Sequence, residues 1–232
     1  MSREAYLARV RDATQAGRAY RIEPRGEVTP TTGYVGGGDD LCARFAAEAN
    51  AVGGTAVVVR SFDEARAELA KVLRARRAES AFVWRHDVLD RLGLAGLLAE
   101  LSVAALDPGA LAKMPRDTRR ATILTADIGI TSADYGIAET GTLAMFARPE
   151  QPRLASLAPP CHVAILERRQ ILPDLFDLFA ALDEAGTTAG APHKVPSNLT
   201  FITGPSKTGD IELQLTTGVH GPGDWRVIVV DG

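Results

Sequence analysis

Three glycine-bearing segments hold the side chains of this 232-residue chain best suited to chemistry. In Gly204-Pro205-Ser206-Lys207-Thr208-Gly209-Asp210, two glycines let backbone approach a ligand, Ser206 and Thr208 offer hydroxyls, and Lys207 adds a compact positive charge. That set suits an anion. A Walker A loop is excluded, because it needs Gly immediately before the Lys and another five residues earlier, where this chain has Ser206 and Phe201. A tight turn in which Thr208 caps a short helix, with Asp210 and Glu212 complementing its dipole, accounts for the same residues.

In Ala138-Glu139-Thr140-Gly141-Thr142, a carboxylate stands at a small-residue turn beside two hydroxyls. Glu139 there suits a general base, a nucleophile or a binder of a substrate hydroxyl or amine. A buried acid held by backbone N–H groups is the competing reading. Asp127, Thr131, Ser132, Asp134 and Tyr135 precede it and are candidates for the same pocket. In Gly218-Val219-His220-Gly221-Pro222-Gly223, His220 can exchange a proton near neutral pH, or it simply occupies a turn that tolerates histidine. The working candidates are therefore Glu139 and His220 for catalysis, and Thr140, Gly141, Thr142, Gly204, Ser206, Lys207, Thr208 and Asp210 for substrate binding.

The remaining histidines carry less. His86 begins a helix, His162 adjoins Cys161 at a strand entrance, and His193 lies in a loop. No paired-histidine or acidic-loop spacing suggests a metal, so none is expected. Cys42 and Cys161 are the only cysteines, too few for a disulfide framework or a four-thiolate site. Cys161 and His162 are sequence neighbours on a strand and point to opposite faces, which argues against a thiolate dyad. We read Cys161 as core or pocket wall and Cys42 as a helix-face residue.

The elements that position these segments alternate. Apolar residues at Tyr6, Leu7, Val10 and Ala13 predict an amphipathic helix over 3–17, followed by a glycine- and proline-rich stretch to Asp40 that reads as a linker. Beyond it come a helix over 41–50, a β-branched strand Thr55–Val59, and a capping box, Ser61 with Glu64, opening a helix to about Arg77. A strand over 81–84, a helix-rich stretch from Asp87 to Leu106, and a helical or mixed segment with Arg116, Arg119 and Arg120 follow. Later strands are expected near 141–147, 163–166, 199–203 and 227–230, with a helix over 173–185. Strands apolar on both faces and alternating with helices imply an α/β fold: a mainly parallel sheet covered by helices on both faces. In such sheets ligands gather at the carboxyl ends of the strands. The expected organisation is an arm and linker over 1–40 and one α/β domain over 41–232.

Taken in order, the segments 138–142, 204–212 and 218–222, with the terminal strand to Asp231, resemble the LUD-domain family in its lactate-utilisation branch. The resemblance implies a Rossmann-like fold akin to the phosphosugar isomerase and CoA-transferase superfamily. It further implies a non-redox role in oxidising L-lactate to pyruvate alongside iron–sulfur partner subunits, with the clusters in those partners and no intrinsic cofactor here. Where the family more often has Ala, this chain has Gly209. Two other roles stay open: a stand-alone transferase or isomerase acting on a phosphorylated or CoA-linked small molecule, and a regulatory or assembly module that binds without turnover.

Charge and hydropathy narrow the surroundings. With 29 acidic and 26 basic residues the net charge is −3, which gives no field to gather nucleic acid. The stretch from Leu92 to Leu106 is too short to span a bilayer and contains Glu100. The charged N-terminus is unlike a secretory signal. A cytoplasmic protein binding a small anionic metabolite is the expectation.

Overall fold

The computed structural model describes residues 2–18, 37–184, 198–209 and 215–232. The chain divides into two units, Met1–Val35 and Gly36–Gly232. The first contains helix α1 (Arg3–Arg18), opened by Ser2, whose hydroxyl accepts from the Ala5 N–H. Its apolar stripe, Tyr6, Leu7 and Val10, is exposed.

The second unit begins with α2 (Leu41–Ala51), β1 (Thr55–Val59), α3 (Phe62–Arg76), β2 (Ser80–Val83), α4 (Asp87–Arg91), α5 (Leu94–Glu100) and β3 (Ala104–Leu106). It continues through α6 (Pro108–Ala112), α7 (Arg116–Leu124), β4 (Ile128–Thr131), β5 (Tyr135–Ile137), β6 (Thr142–Phe146), β7 (Cys161–Glu167) and β8 (Ile171–Leu172). Helix α8 (Leu175–Glu184) and strands β9 (Leu199–Ile202), β10 (Lys207–Gly209), β11 (Leu215–Thr217) and β12 (Asp224–Val230) complete it.

Six strands form an all-parallel sheet in the order β1-β12-β7-β4-β2-β3, flanked by helices, as the alternation of elements predicts. Its central strands β4 and β7 are buried along their whole length, the signature of a sheet covered on both faces. Ser61 caps α3 by accepting from the Glu64 N–H at 3.2 Å, while the Glu64 carboxylate takes the Arg60 N–H rather than that of Ser61.

The structure departs from the sequence expectation in its second half. Strands β6 and β9, expected within the main sheet, instead belong to a separate four-stranded mixed sheet, β8-β5-β6-β9. Residues 104–106, read as the end of a helical stretch, form the edge strand β3. Chain pairing over long separations, which no local pattern encodes, decides both.

Candidate functional site

The first segment closes the β5–β6 hairpin. Gly141 adopts a left-handed φ of 61° and lies against α2, so close that a Cβ there would stand 2.3 Å from the Ala49 backbone nitrogen. Glycine is required on both counts. Beside it Thr140 Oγ1 and Thr142 Oγ1 lie 2.7 Å apart, and Thr142 Oγ1 is 2.7 Å from Thr203 Oγ1 at the end of β9. This row of three hydroxyls joins the first motif to the second. The Glu139 N–H donates to the Pro173 carbonyl at 3.0 Å and its side chain is half-buried.

In the second segment Gly204, with φ 93°, packs on Val52 just past α2. The Lys207 ammonium donates to the Val52 carbonyl at 2.5 Å, where a cation complements the negative end of the helix. Thr208 lies in the β10–β11 hairpin, opposite Thr216. Asp210 and Glu212, like His193, lie outside the described residues.

The third segment docks on the second: the Ser206 N–H donates to the Pro222 carbonyl and the Gly218 N–H to the Ser206 carbonyl, each at 2.9 Å. Between them opens a pocket of about 200 Å³. Thr203, Gly204, Ser206, His220, Ser156 and Trp225 are among its lining residues. Glu139 and Lys207 do not line it; the hydroxyl row is what connects Glu139's turn to its edge. His220 is exposed at the rim, whereas Trp225 is buried, with its indole Nε1 lacking a partner among the described residues.

These loops lie at the amino end of the parallel sheet. Gly218–Gly223 leads directly into β12, and Gly53, beside the Lys207 ammonium, leads into β1. Ligand loops at the carboxyl ends are the sequence expectation, which treats β9 as a strand of that sheet. Its membership of the mixed sheet overturns that premise.

Several earlier candidates hold structure together instead. Asp127 accepts from the Glu79 and Ser80 N–H groups, and these bonds keep its carboxyl below the usual range against the opposing effect of burial. Asp134 accepts from the Phe146 N–H and pairs with Arg148. Thr131 Oγ1 lies 2.8 Å from His162 Nε2, and full burial pushes the His162 pKa down to about 3. His86 caps α4, with Nδ1 accepting from the Val88 N–H at 3.2 Å. Cys42 and Cys161 are buried, and burial first of all pushes both thiols up to about 12. No group of three or more His, Cys, Asp or Glu side chains placed to hold a metal occurs among the described residues. Nor, among them, is any helix long and apolar enough to cross a membrane.

A family model for the LUD domain matches residues 42–230, nearly the whole second unit. The chain belongs to the LUD-domain family. Within that family it is 32% identical over 160 residues to lactate utilization protein C of Halalkalibacterium halodurans, a match covering 69% of this chain and 66% of that one. It is 39% identical over 105 residues to lactate utilization protein C of Geobacillus kaustophilus, covering 45% of this chain and 42% of that one. The matches thus span roughly two fifths to just under two thirds of these relatives' length. With YkgG of Escherichia coli the identity is 30% over 217 residues, covering 90% of each chain. Among solved structures, a DUF162 family protein from Deinococcus radiodurans shares the fold with a TM-score of 0.56 at 22% identity, covering 82% of this chain and 96% of that one.

Proposed function

We propose that this LUD-domain protein is a non-redox component of L-lactate utilisation, acting with iron–sulfur partner subunits in the oxidation of L-lactate to pyruvate and binding a small anion at its motif loops. The similarity to proteins named lactate utilization protein C carries this reading. Two observations on this chain support it. The motif loops of residues 203–206 and 218–222 meet around one small pocket, with the turn of 139–142 tied to its edge through Thr142 and Thr203. The only two cysteines are buried with thiols held far above neutral pH, which suits electron carriers housed in partners rather than here.

In this reading Gly204, Ser206 and Gly221 bring backbone and hydroxyl donors to the ligand, and His220 addresses it from the rim. Glu139, with Thr140, Gly141, Thr142, Lys207 and Thr208, shapes the surrounding turns. A CoA-linked substrate fits poorly in about 200 Å³. Deleting the gene tests the proposal: growth on L-lactate should fail, and return with the wild-type gene. Affinity purification under anaerobic conditions should recover iron–sulfur proteins with the tagged chain. Normal growth on L-lactate together with purification of the chain alone would remove the reading.

A further inference from the structure

Helix α7 carries cations on the face that a surface helix ordinarily gives to the core. Such a helix turns its residues at i, i+3, i+4 and i+7 toward the body of the domain. In α7 those positions are Arg116, Arg119, Arg120 and Ile123, and Ile123 is the one buried residue of the nine. All four line a hollow of about 360 Å³, together with Leu154 and Ala158.

A second hollow, of about 280 Å³, shares Arg119, Ile123 and Leu154 with the first. The two are therefore the ends of one trough, and the ends differ. The first holds all three arginines. The second adds apolar residues, among them Phe82, Leu111 and Pro152, with Arg119 standing between the two ends. Phe82 and Leu111 are buried and give that end its floor.

The arginines are unspent. Arg66, Arg76, Arg85 and Arg91 each pair with a carboxylate. Among the described residues none pairs with Arg116, Arg119 or Arg120. Arg119 is half-buried against the shared apolar wall, where a guanidinium gives up hydration that an anion replaces. Cations gathered at one end and an apolar floor at the other match a molecule with an anionic head and an apolar tail. About 280 Å³ holds roughly nine heavy atoms at the volume per heavy atom of liquid water.

We propose that this trough binds a linear amphiphilic anion, its carboxylate or phosphate head at Arg116, Arg119 and Arg120. Its tail, about eight carbons long, runs over Ile123 toward Phe82 and Leu111. The trough and the motif pocket have no described lining residue in common, so the site is separate from the one proposed for lactate utilisation. Binding involves no covalent step.

Isothermal titration calorimetry of the full chain gives the test, with octanoate, octyl phosphate, their six-carbon homologues and 1-octanol, each below its micelle concentration. Octanoate or octyl phosphate should bind, and the tighter of the two identifies the head. Its six-carbon homologue, two methylenes shorter, should bind about five- to fifteenfold more weakly. The uncharged 1-octanol should bind at least about tenfold more weakly, and Arg119→Gln should weaken the anion by about tenfold or more. Arg120→Gln, at an exposed position, gives the same readout where Arg119→Gln fails to fold. No binding of either eight-carbon anion at millimolar concentration overturns the proposal, as does equal binding of 1-octanol or of the shorter homologue. Displacement of the bound anion by L-lactate would put it in the motif pocket and overturn the assignment as well. A chain that self-associates, separates on Arg119→Glu and takes up neither anion overturns it in favour of a second copy in the trough.

Discussion

The two rims of the parallel sheet spend their charges differently. At the carboxyl rim, Glu167 at the end of β7 receives both Arg91 terminal nitrogens at 2.5 Å and the Arg169 Nε at 2.8 Å. Nearby, Arg168 pairs with Asp231 after β12, and Arg85 bridges Asp107 and Glu150. At the amino rim Asp224 pairs with Arg76 and Arg226, whereas the pocket beside it is lined, among the described residues, by hydroxyls, glycine turns, one histidine and a tryptophan, with no ion pair across it. Open parallel sheets commonly bind ligands at the carboxyl rim. Here that rim is laced by charge pairs, and the pocket that gathers two of the motifs lies at the other. Fold alone does not settle where function sits.

The contrast can be broken or sharpened by substitution. The largest effect is expected at the amino rim from Gly141→Ala, which meets the Ala49 backbone at 2.3 Å and must also hold a left-handed φ. The combined strain and overlap should cost about 4 kcal/mol in denaturant unfolding. A cost under about 1 kcal/mol would mean the hairpin does not pack on α2 as described.

At the carboxyl rim, Glu167→Gln removes the carboxylate shared by Arg91 and Arg169 and should cost about 2 kcal/mol at pH 7, less than a fully buried pair because both arginines are partly exposed. The Arg91 hydrogen bonds hold the Glu167 carboxyl below its ordinary value of 4.5. A depressed folded-state pKa gives stability that is full above the unfolded value and is lost as pH falls through the folded one. Wild type should therefore lose stability on acidification below about pH 4.5, where the Gln variant's curve is flatter. Parallel curves for the two proteins would show that the pairs contribute nothing.

Smaller effects return to the amino rim. Thr142→Val interrupts the hydroxyl row at a buried position and should cost about 1–2 kcal/mol. Lys207→Met removes the cation from the Val52 carbonyl at an exposed site and should cost only about 0.5 kcal/mol. If that substitution instead weakens ligand binding more than tenfold while barely moving the unfolding midpoint, Lys207 leaves Val52 for the ligand. That result would bring a cation into the pocket that the described lining lacks.

Some of this was legible before folding. The β-branched run Thr55–Val59 and the Ser61 cap specify local structure, and local patterns suffice for them. Strands β4 and β5 escaped notice because Ile128-Gly129-Ile130 and Tyr135-Gly136-Ile137 place a glycine mid-strand, which reads as a turn. Gly129 is tolerated because its missing side chain makes room for the Ala155 carbonyl, a partner 26 residues away in the chain. At the site, motif glycines and hydroxyls marked loops that meet around one pocket, since turn chemistry is local. Trp225 and Ser156 did not stand out: a tryptophan in a terminal strand reads as core, and its place beside a pocket depends on loops distant in the chain.

The three threonines at 140, 142 and 203 leave one more property in the molecule. A hydroxyl has a single proton to give, so Thr142 donates to Thr140 or to Thr203 and never to both. Where Thr142 donates to Thr203, the Thr203 proton is free for whatever occupies the pocket edge; where Thr203 donates to Thr142, only its lone pairs face that edge.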